Sequence, residues 1–216
     1  MARNVSRTRR GFLGGIVAVG AAFAAPRALA ALTLTPRQTE GPFYPEQLPL
    51  DRDNDLVQVK GNAAPAAGAI THLRGRILDA RGAPIRNALV EVWQVDHNGV
   101  YLHRGSAGHG RRDSNFQGYG RFETGADGAY HFRTIKPVAY PGRTPHIHFA
   151  VKVQGADTFT TQCYVRGEPQ NERDFILNSI RDRAARESVI VEFAPAAGAG
   201  ELAARFDIVL GVTPAA

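Results

Sequence analysis

Cysteine occurs once in this chain, at Cys163, so no disulfide can form within one copy. Small domains in oxidising compartments usually lean on disulfides. This one must hold by packing, which 216 residues allow. Acids are missing from the start: the first 30 positions carry five arginines and no aspartate or glutamate. Beyond them no apolar run is long enough to cross a bilayer, and no internal repeat is visible.

The acid-free start reads as an address. Thr8-Arg9-Arg10-Gly11-Phe12-Leu13 is a twin-arginine pattern. A Gly/Ala-rich apolar run follows over 14–25, and Ala28-Leu29-Ala30 is an A-x-A cleavage site before Ala31. The expectation is a twin-arginine signal over 1–30 and a periplasmic or secreted protein, exported folded with its cofactor in place. No cysteine follows the cleavage site to take a lipid, so no membrane contact is expected after signal removal. Formal charge is +6 over the whole chain. Removing the five signal arginines from 26 basic residues leaves 21 against 20 acidic ones, a mature chain near +1. The basic balance is therefore no argument for nucleic acid.

Residues 31–69 read as an N-terminal loop segment, polar and proline-rich, with Thr39-Glu40-Gly41-Pro42-Phe43-Tyr44-Pro45 at its centre. Residues 70–216 read as one mainly β domain, an antiparallel β-sandwich with long loops and one short helix. Its expected strands are 71–78, 88–95, 121–124, 129–135, 146–153, 158–165, 188–193 and 205–210. Gly125-Ala126-Asp127-Gly128 signals a hairpin between two of them. A glycine-rich polar stretch between Gly105 and Gly120 is a long loop of the kind that carries function. The helix is expected over about 171–185, with Asn171 as N-cap and Glu172 and Asp174 as acids of its first turn.

The chemistry concentrates over 132–153. From His146 the sequence alternates, placing Ile147, Phe149, Val151 and Val153 on one strand face and His146, His148, Ala150 and Lys152 on the other. The two histidines stand about 6.6 Å apart along the backbone, close enough for both imidazoles to reach one ion. A solvated His-x-His is the plain alternative. Pro141 and Pro145 stiffen the approach, and Tyr140 and Arg143 lie just upstream. No carboxylate shares the strand, which disfavours zinc and the iron(II) two-histidine-one-carboxylate site. Tyrosine oxygens, from Tyr140 and from Tyr101 beyond the Asn98-Gly99 turn, suit a trivalent oxygen-seeking ion such as iron(III). A copper or zinc carrier using His146 and His148 remains a competing reading. Trp93 and Cys163 are expected in the core, His103 and His109 in solvent, and His72 and His131 as ordinary strand residues.

Taken together, Thr39 to Tyr44, Val92-Trp93-Gln94 through Gly99-Val100-Tyr101, Tyr130 to Pro137, Tyr140-Pro141, Arg143 to Phe149, Gln162, and Arg205-Phe206-Asp207-Ile208-Val209-Leu210 resemble the intradiol ring-cleavage dioxygenases. The pieces occur in family order across nearly the whole chain after residue 38. The resemblance implies a β-sandwich holding Fe(3+) through Tyr101, Tyr140, His146 and His148. It implies a catecholic substrate and O2 as partners, and cleavage to a cis,cis-muconate-type diacid. By the same analogy Tyr140 leaves the metal when substrate binds, Arg143 stabilises charge beside the ring, Gln162 supports it, and Gly41, Pro42 and Tyr44 help bind substrate. Five residues separate Tyr140 from His146, fewer than in the family's well-known members, so the pocket differs there. A non-catalytic, transthyretin-like binding module is the alternative on the same fold. A homo-oligomer is compatible with either.

Overall fold

The computed structural model describes Met1, residues 32–197 and residues 200–211. The chain divides into Met1–Ala30 and Ala31–Ala216. The signal-peptide reading falls outside the described residues. In chain order the elements of the second unit are β1 (Ile70–Leu78), β2 (Leu89–Trp93), β3 (Tyr119–Glu123), β4 (Ala129–Ile135), β5 (His146–Lys152), β6 (Phe159–Val165), α1 (Phe175–Asn178), α2 (Arg183–Ser188), β7 (Ile190–Val191), β8 (Phe193–Pro195), β9 (Leu202–Arg205) and β10 (Ile208–Val209).

Two five-stranded sheets form the expected sandwich. One has β1 flanked by β4 on one side and by β9 and β10 in turn on the other, with β8 beyond β9; the second runs β3-β2-β5-β6-β7. Most pairs are antiparallel, whereas β9 and β10 run parallel to β1 and β7 runs parallel to β6. The inward faces obey period two. Leu73 and Ile77 of β1 and Tyr130 and Phe132 of β4 meet Val90 and Val92 of β2 and Ile147, Phe149 and Val151 of β5 in one buried cluster. Phe149 packs on Phe206 and Tyr130 with ring centroids 5.2 and 5.9 Å apart. Burial of one such ring contributes about 1.5–3 kcal/mol. Only glycine fits at position 75, because a Cβ there would lie 1.8 Å from the Phe206 carbonyl oxygen, which the Tyr130 hydroxyl also seeks.

The Gly125–Gly128 stretch is a tight turn, with the Gly128 N–H donating to the Gly125 carbonyl, but it does not make a hairpin. β3 pairs with β2 and β4 pairs with β1, so the turn crosses from one sheet to the other. Phe122 and Phe132 then face each other across the sandwich instead of lying side by side. The single helix expected over 171–185 is likewise divided. Asp174 accepts from the Ile176 and Leu177 N–H groups and starts α1; Asp182 accepts from Ala185 N–H and starts α2. Asn171 caps nothing: its amide accepts from Thr144 Oγ1 and donates to the Val165 carbonyl.

Residues 35–46 cross the outer face of the second sheet. Gln38 N–H donates to Thr160 O, and the Gln38 amide donates toward Thr161 Oγ1, fixing this strap on β6. Under it a second buried cluster forms from Trp93, Tyr119, Ala150, Val95 and Tyr101. The glycine-rich loop is tied down by Asp96, whose carboxylate accepts from the N–H groups of Asn98, Val100 and Asp113.

Candidate active site

Both faces of β5 are buried, because the strap covers the one that carries the histidines. His146 is 1 % exposed and His148 2 %, so the solvated His-x-His reading does not hold. Each ring is oriented by its surroundings. His146 Nδ1–H donates to the Thr144 carbonyl at 2.6 Å, which turns Nε2 inward with its lone pair. His148 lies flat on Trp93, ring centroids 4.8 Å apart and planes within 9°.

Tyr101 arrives from the loop that Asp96 organises. Its N–H donates to Ser106 Oγ at 2.9 Å, and Phe43 stacks on its ring at 5.0 Å. Its hydroxyl ends 3.1 Å from His148 Nε2 and 3.3 Å from His146 Nε2, and those two nitrogens are 3.1 Å apart. Tyr140 and Arg143 flank a four-residue turn. Pro141 supplies the fixed φ of its second position and Gly142, at φ 83°, the left-handed third, and Arg143 N–H closes it on the Tyr140 carbonyl at 3.0 Å. This turn sets the Tyr140 ring edge-on to Tyr101 at 5.4 Å and 5.6 Å from His146.

The charges of this cluster call for a cation. Burial, followed by the Arg143 guanidinium, pushes His146 down to about 4. Burial, followed by His146 and Arg143, holds His148 well below the ordinary histidine range. Both rings are therefore held in the neutral form, which can offer a lone pair. Burial, followed by Tyr140, raises the Tyr101 phenol well above its usual value. One phenol proton cannot satisfy two converging imidazole nitrogens, and His148 Nδ1 is buried with no partner. Either tautomer of His148 leaves a polar nitrogen unmet. A metal ion among the three converging atoms would take the Nε2 lone pairs of both rings and stabilise a phenolate, with His148 as its Nδ1–H tautomer. Separations of 3.1–3.3 Å are those of ligand atoms around a first-row metal at about 2 Å. Among the described residues no three His, Cys, Asp or Glu side chains gather for a metal, and the side chains beside the two histidines are Tyr101 and Tyr140. The residues present thus fit iron(III).

Arg143, 8 % exposed, is fixed on two of its three nitrogens. Nε–H donates to Asp174 Oδ2 at 2.8 Å and Nη2–H to Gln162 Oε1 at 2.7 Å. Gln162 in turn donates to the Thr39 carbonyl at 3.1 Å, joining arginine and strap. Burial would raise the Asp174 carboxyl, but Arg143 and the backbone N–H groups of Leu177 and Thr144 outweigh it and hold it below the usual range. Sequence reasoning treated Asp174 only as a first-turn acid. The signal that could have found it is the cap grammar, an aspartate directly before Phe-Ile-Leu.

The strap residues divide. Gly41, at φ 74°, brings its backbone against His148, where a Cβ would lie 3.4 Å from Cε1. Pro42 is exposed. Tyr44 does not face the donor cluster: its hydroxyl donates to Glu91 at 3.2 Å and its ring stands edge-on to Trp93. Phe43 is the strap aromatic that covers Tyr101. His103, expected in solvent, is instead mostly buried at 18 % side-chain exposure, edge-on to Phe43 and 3.4 Å from Glu46. His109 is exposed as expected. A groove of about 930 Å³ on the opposite sheet, lined by His72, Arg74 and Glu201 among others, has no part in this cluster.

A family model described as a dioxygenase matches residues 39–212. The protocatechuate 3,4-dioxygenase beta chain of Burkholderia cepacia is 41% identical over 156 residues, 67% of this chain and 64% of that protein. Catechol 1,2-dioxygenase 1 of Acinetobacter lwoffii is 30% identical over 174 residues, 72% of this chain and 52% of that protein. The chain thus spans between half and just under two thirds of these relatives. Among solved structures, the dioxygenase domain of a dioxygenase–carbohydrate-binding fusion from Streptomyces sp. SirexAA-E matches with TM-score 0.66 at 30% identity, covering 84% of this chain and all of that one. Catechol 1,2-dioxygenase from Acinetobacter sp. ADP1 matches with TM-score 0.63 at 27% identity, over 81% of this chain and 62% of that one. With a family model matched over residues 39–212, a relative 41% identical over 67% of the chain and the sandwich shared with these solved structures, the chain belongs to the intradiol ring-cleavage dioxygenase family.

Proposed function

We propose that this protein is a non-haem iron(III) dioxygenase that cleaves a catechol-type ring between its two hydroxyl-bearing carbons. Both atoms of O2 enter the product, a cis,cis-muconate-type diacid. The observation that carries the reading is the buried convergence of Tyr101 Oη, His146 Nε2 and His148 Nε2, with Tyr140 beside them. Iron(III), when bound by Tyr101, Tyr140, His146 and His148, supplies a Lewis acid that draws electron density through the catechol oxygens and makes the ring reactive toward dioxygen.

The two tyrosines have different freedom. Tyr101 is 1 % exposed, held by Ser106, and covered by Phe43, so it stays in place through a turnover. Tyr140 is only partly buried and sits on a turn at the mouth. It is the oxygen that can swing out and take up a catechol proton as substrate enters. His146 and His148, held neutral, carry no proton that must leave first. Phe43 keeps bulk water from one side of the cluster. Arg143 is held beside the cluster by Asp174 and Gln162, so its positive charge can face oxygen-centred negative charge developing on the ring. Export by the twin-arginine route belongs to the same proposal: the signal over 1–30 would carry a folded, iron-loaded protein out of the cytoplasm.

The test is turnover of catechol by iron-loaded protein under labelled O2, followed by product analysis. A muconate-type diacid carrying two labelled oxygens supports the proposal. A semialdehyde, a singly labelled product or no turnover refutes it.

A further inference from the structure

Arg143 carries a full positive charge beside a cluster built for a trivalent cation. Left alone, that charge would repel the metal and swing on a flexible side chain. Asp174 meets both problems. Its side chain is fully buried, and its two oxygens serve opposite directions. Oδ2 accepts from Arg143 Nε and from Thr144 N–H, at 2.8 and 3.1 Å, on the lead into the histidine strand. Oδ1 accepts from Ile176 and Leu177 N–H, at 3.1 and 2.9 Å, at the start of α1. One carboxylate thus locks the guanidinium, the residue two before His146, and the short helix into one rigid unit. The Phe175 ring lies 5.7 Å from the guanidinium carbon and closes another approach. With Nε on Asp174 and Nη2 on Gln162, the plane of the guanidinium is fixed beside the donor cluster.

We infer that Asp174 is a positioning residue for the ring-cleavage reaction: it orients the Arg143 guanidinium toward the substrate oxygens and cancels its charge next to the metal site. This rests on the dioxygenase reading above. Asp174 touches no substrate and acts through Arg143. A carboxylate that only capped a four-residue helix would have no need of the arginine, and the second oxygen would be free for solvent.

A double-mutant cycle separates the two roles. Wild type, Asp174→Asn, Arg143→Gln and the double variant are loaded with iron and compared for kcat and KM on catechol. Anaerobic catechol affinity is read separately from the shift of the visible band. Asparagine is nearly isosteric and keeps a capping oxygen, but it puts an N–H donor or an uncharged oxygen where Arg143 needs a carboxylate. The expected result is a fall in kcat of roughly tenfold to a hundredfold for Asp174→Asn, near the range for loss of an oriented charge donor. KM should move much less, and the tyrosinate colour of the resting protein should be retained. In the double variant the loss should match Arg143→Gln alone within about twofold.

Additive losses in kcat and in catechol affinity would overturn the inference, as would loss of colour with an unchanged rate per iron. If Asp174→Asn does not fold, Asp174→Ser retains a capping oxygen and enters the same cycle. A wild-type protein that binds catechol but does not cleave it refutes the dioxygenase reading and this role with it, whereas a wild type that cleaves catechol with additive losses across the cycle refutes the inference alone. A wild type that does not bind catechol refutes both.

Discussion

Replacing Glu91 by alanine should remove about 3–4 kcal/mol of stability and loosen the strap over the active site. Glu91 is 3 % exposed and lies on β2 between the strap and β5. Its Oε1 accepts from the Tyr119 hydroxyl at 2.9 Å and its Oε2 from Tyr44 at 3.2 Å, while Lys152 Nζ approaches both oxygens at 2.8–2.9 Å. Burial and then the carboxylate itself push the Tyr119 phenol far above its ordinary range, so it stays a donor at any working pH. Tyr119 is fully buried, and stranding its hydroxyl costs about 1–3 kcal/mol. Freeing the half-buried Tyr44 adds about 1 kcal/mol. Lys152, with 43 % of its side chain exposed, returns to water and adds under about 1 kcal/mol. In a domain of this size each kcal/mol moves Tm by about 2–4 °C, so Tm should fall by about 10 °C. Glu91→Gln, which still accepts from Tyr119, should lose less than half as much. Since Tyr44 anchors the residues that carry Gly41 and Phe43, KM for catechol should rise more than kcat falls. Thermal unfolding followed by circular dichroism measures the first effect and steady-state oxygen uptake the second. An alanine variant within about 0.5 kcal/mol of wild type would behave as a surface change, and the hub argument would be wrong.

Gly41→Ala should cost about 1–2 kcal/mol from the left-handed backbone alone, since its φ is 74° and the new methyl makes only ordinary contact with His148. Urea unfolding should show the midpoint move with little change in slope; an unchanged midpoint would mean the strap adopts another path. Trp93 is the chain's one tryptophan and its ring lies on His148, so iron(III) added to metal-free protein should quench most of its emission and a chelator should restore it. His148→Asn should abolish that response, and quenching that survives the substitution would place the metal elsewhere.

Much of this site could be read from residues alone because it rests on local rules. Period two placed Ile147, Phe149 and Val151 in the core and His146 and His148 together on the other face. The Tyr140-Pro141-Gly142-Arg143 turn is likewise written in its two central residues. What local rules could not show is that the histidine face is covered. The strap that buries it pairs Gln38 with residues more than 120 positions away. The resemblance put Tyr44 rather than Phe43 with the substrate, but the presence of Glu91 and Tyr119 on neighbouring strands turns Tyr44 away. The 125–128 turn has hairpin chemistry, but β1 offers β4 a seven-residue ladder and takes it into the other sheet. The division of the helix follows from Asp174 and Asp182 each capping a fresh start, and only the fold shows that Asp174 also reaches Arg143.

The central claim is that Tyr101 and Tyr140, with His146 and His148, hold iron(III) at a site open to a catechol. The direct measurement is the visible spectrum of the purified protein, before and after anaerobic addition of catechol, for wild type and for Tyr101→Phe and Tyr140→Phe. The account predicts a red-brown tyrosinate-to-iron(III) band in wild type that moves to longer wavelength with catechol, and a band altered by each substitution. A protein that stays colourless after iron(III) loading, or a band that neither tyrosine changes, would contradict it.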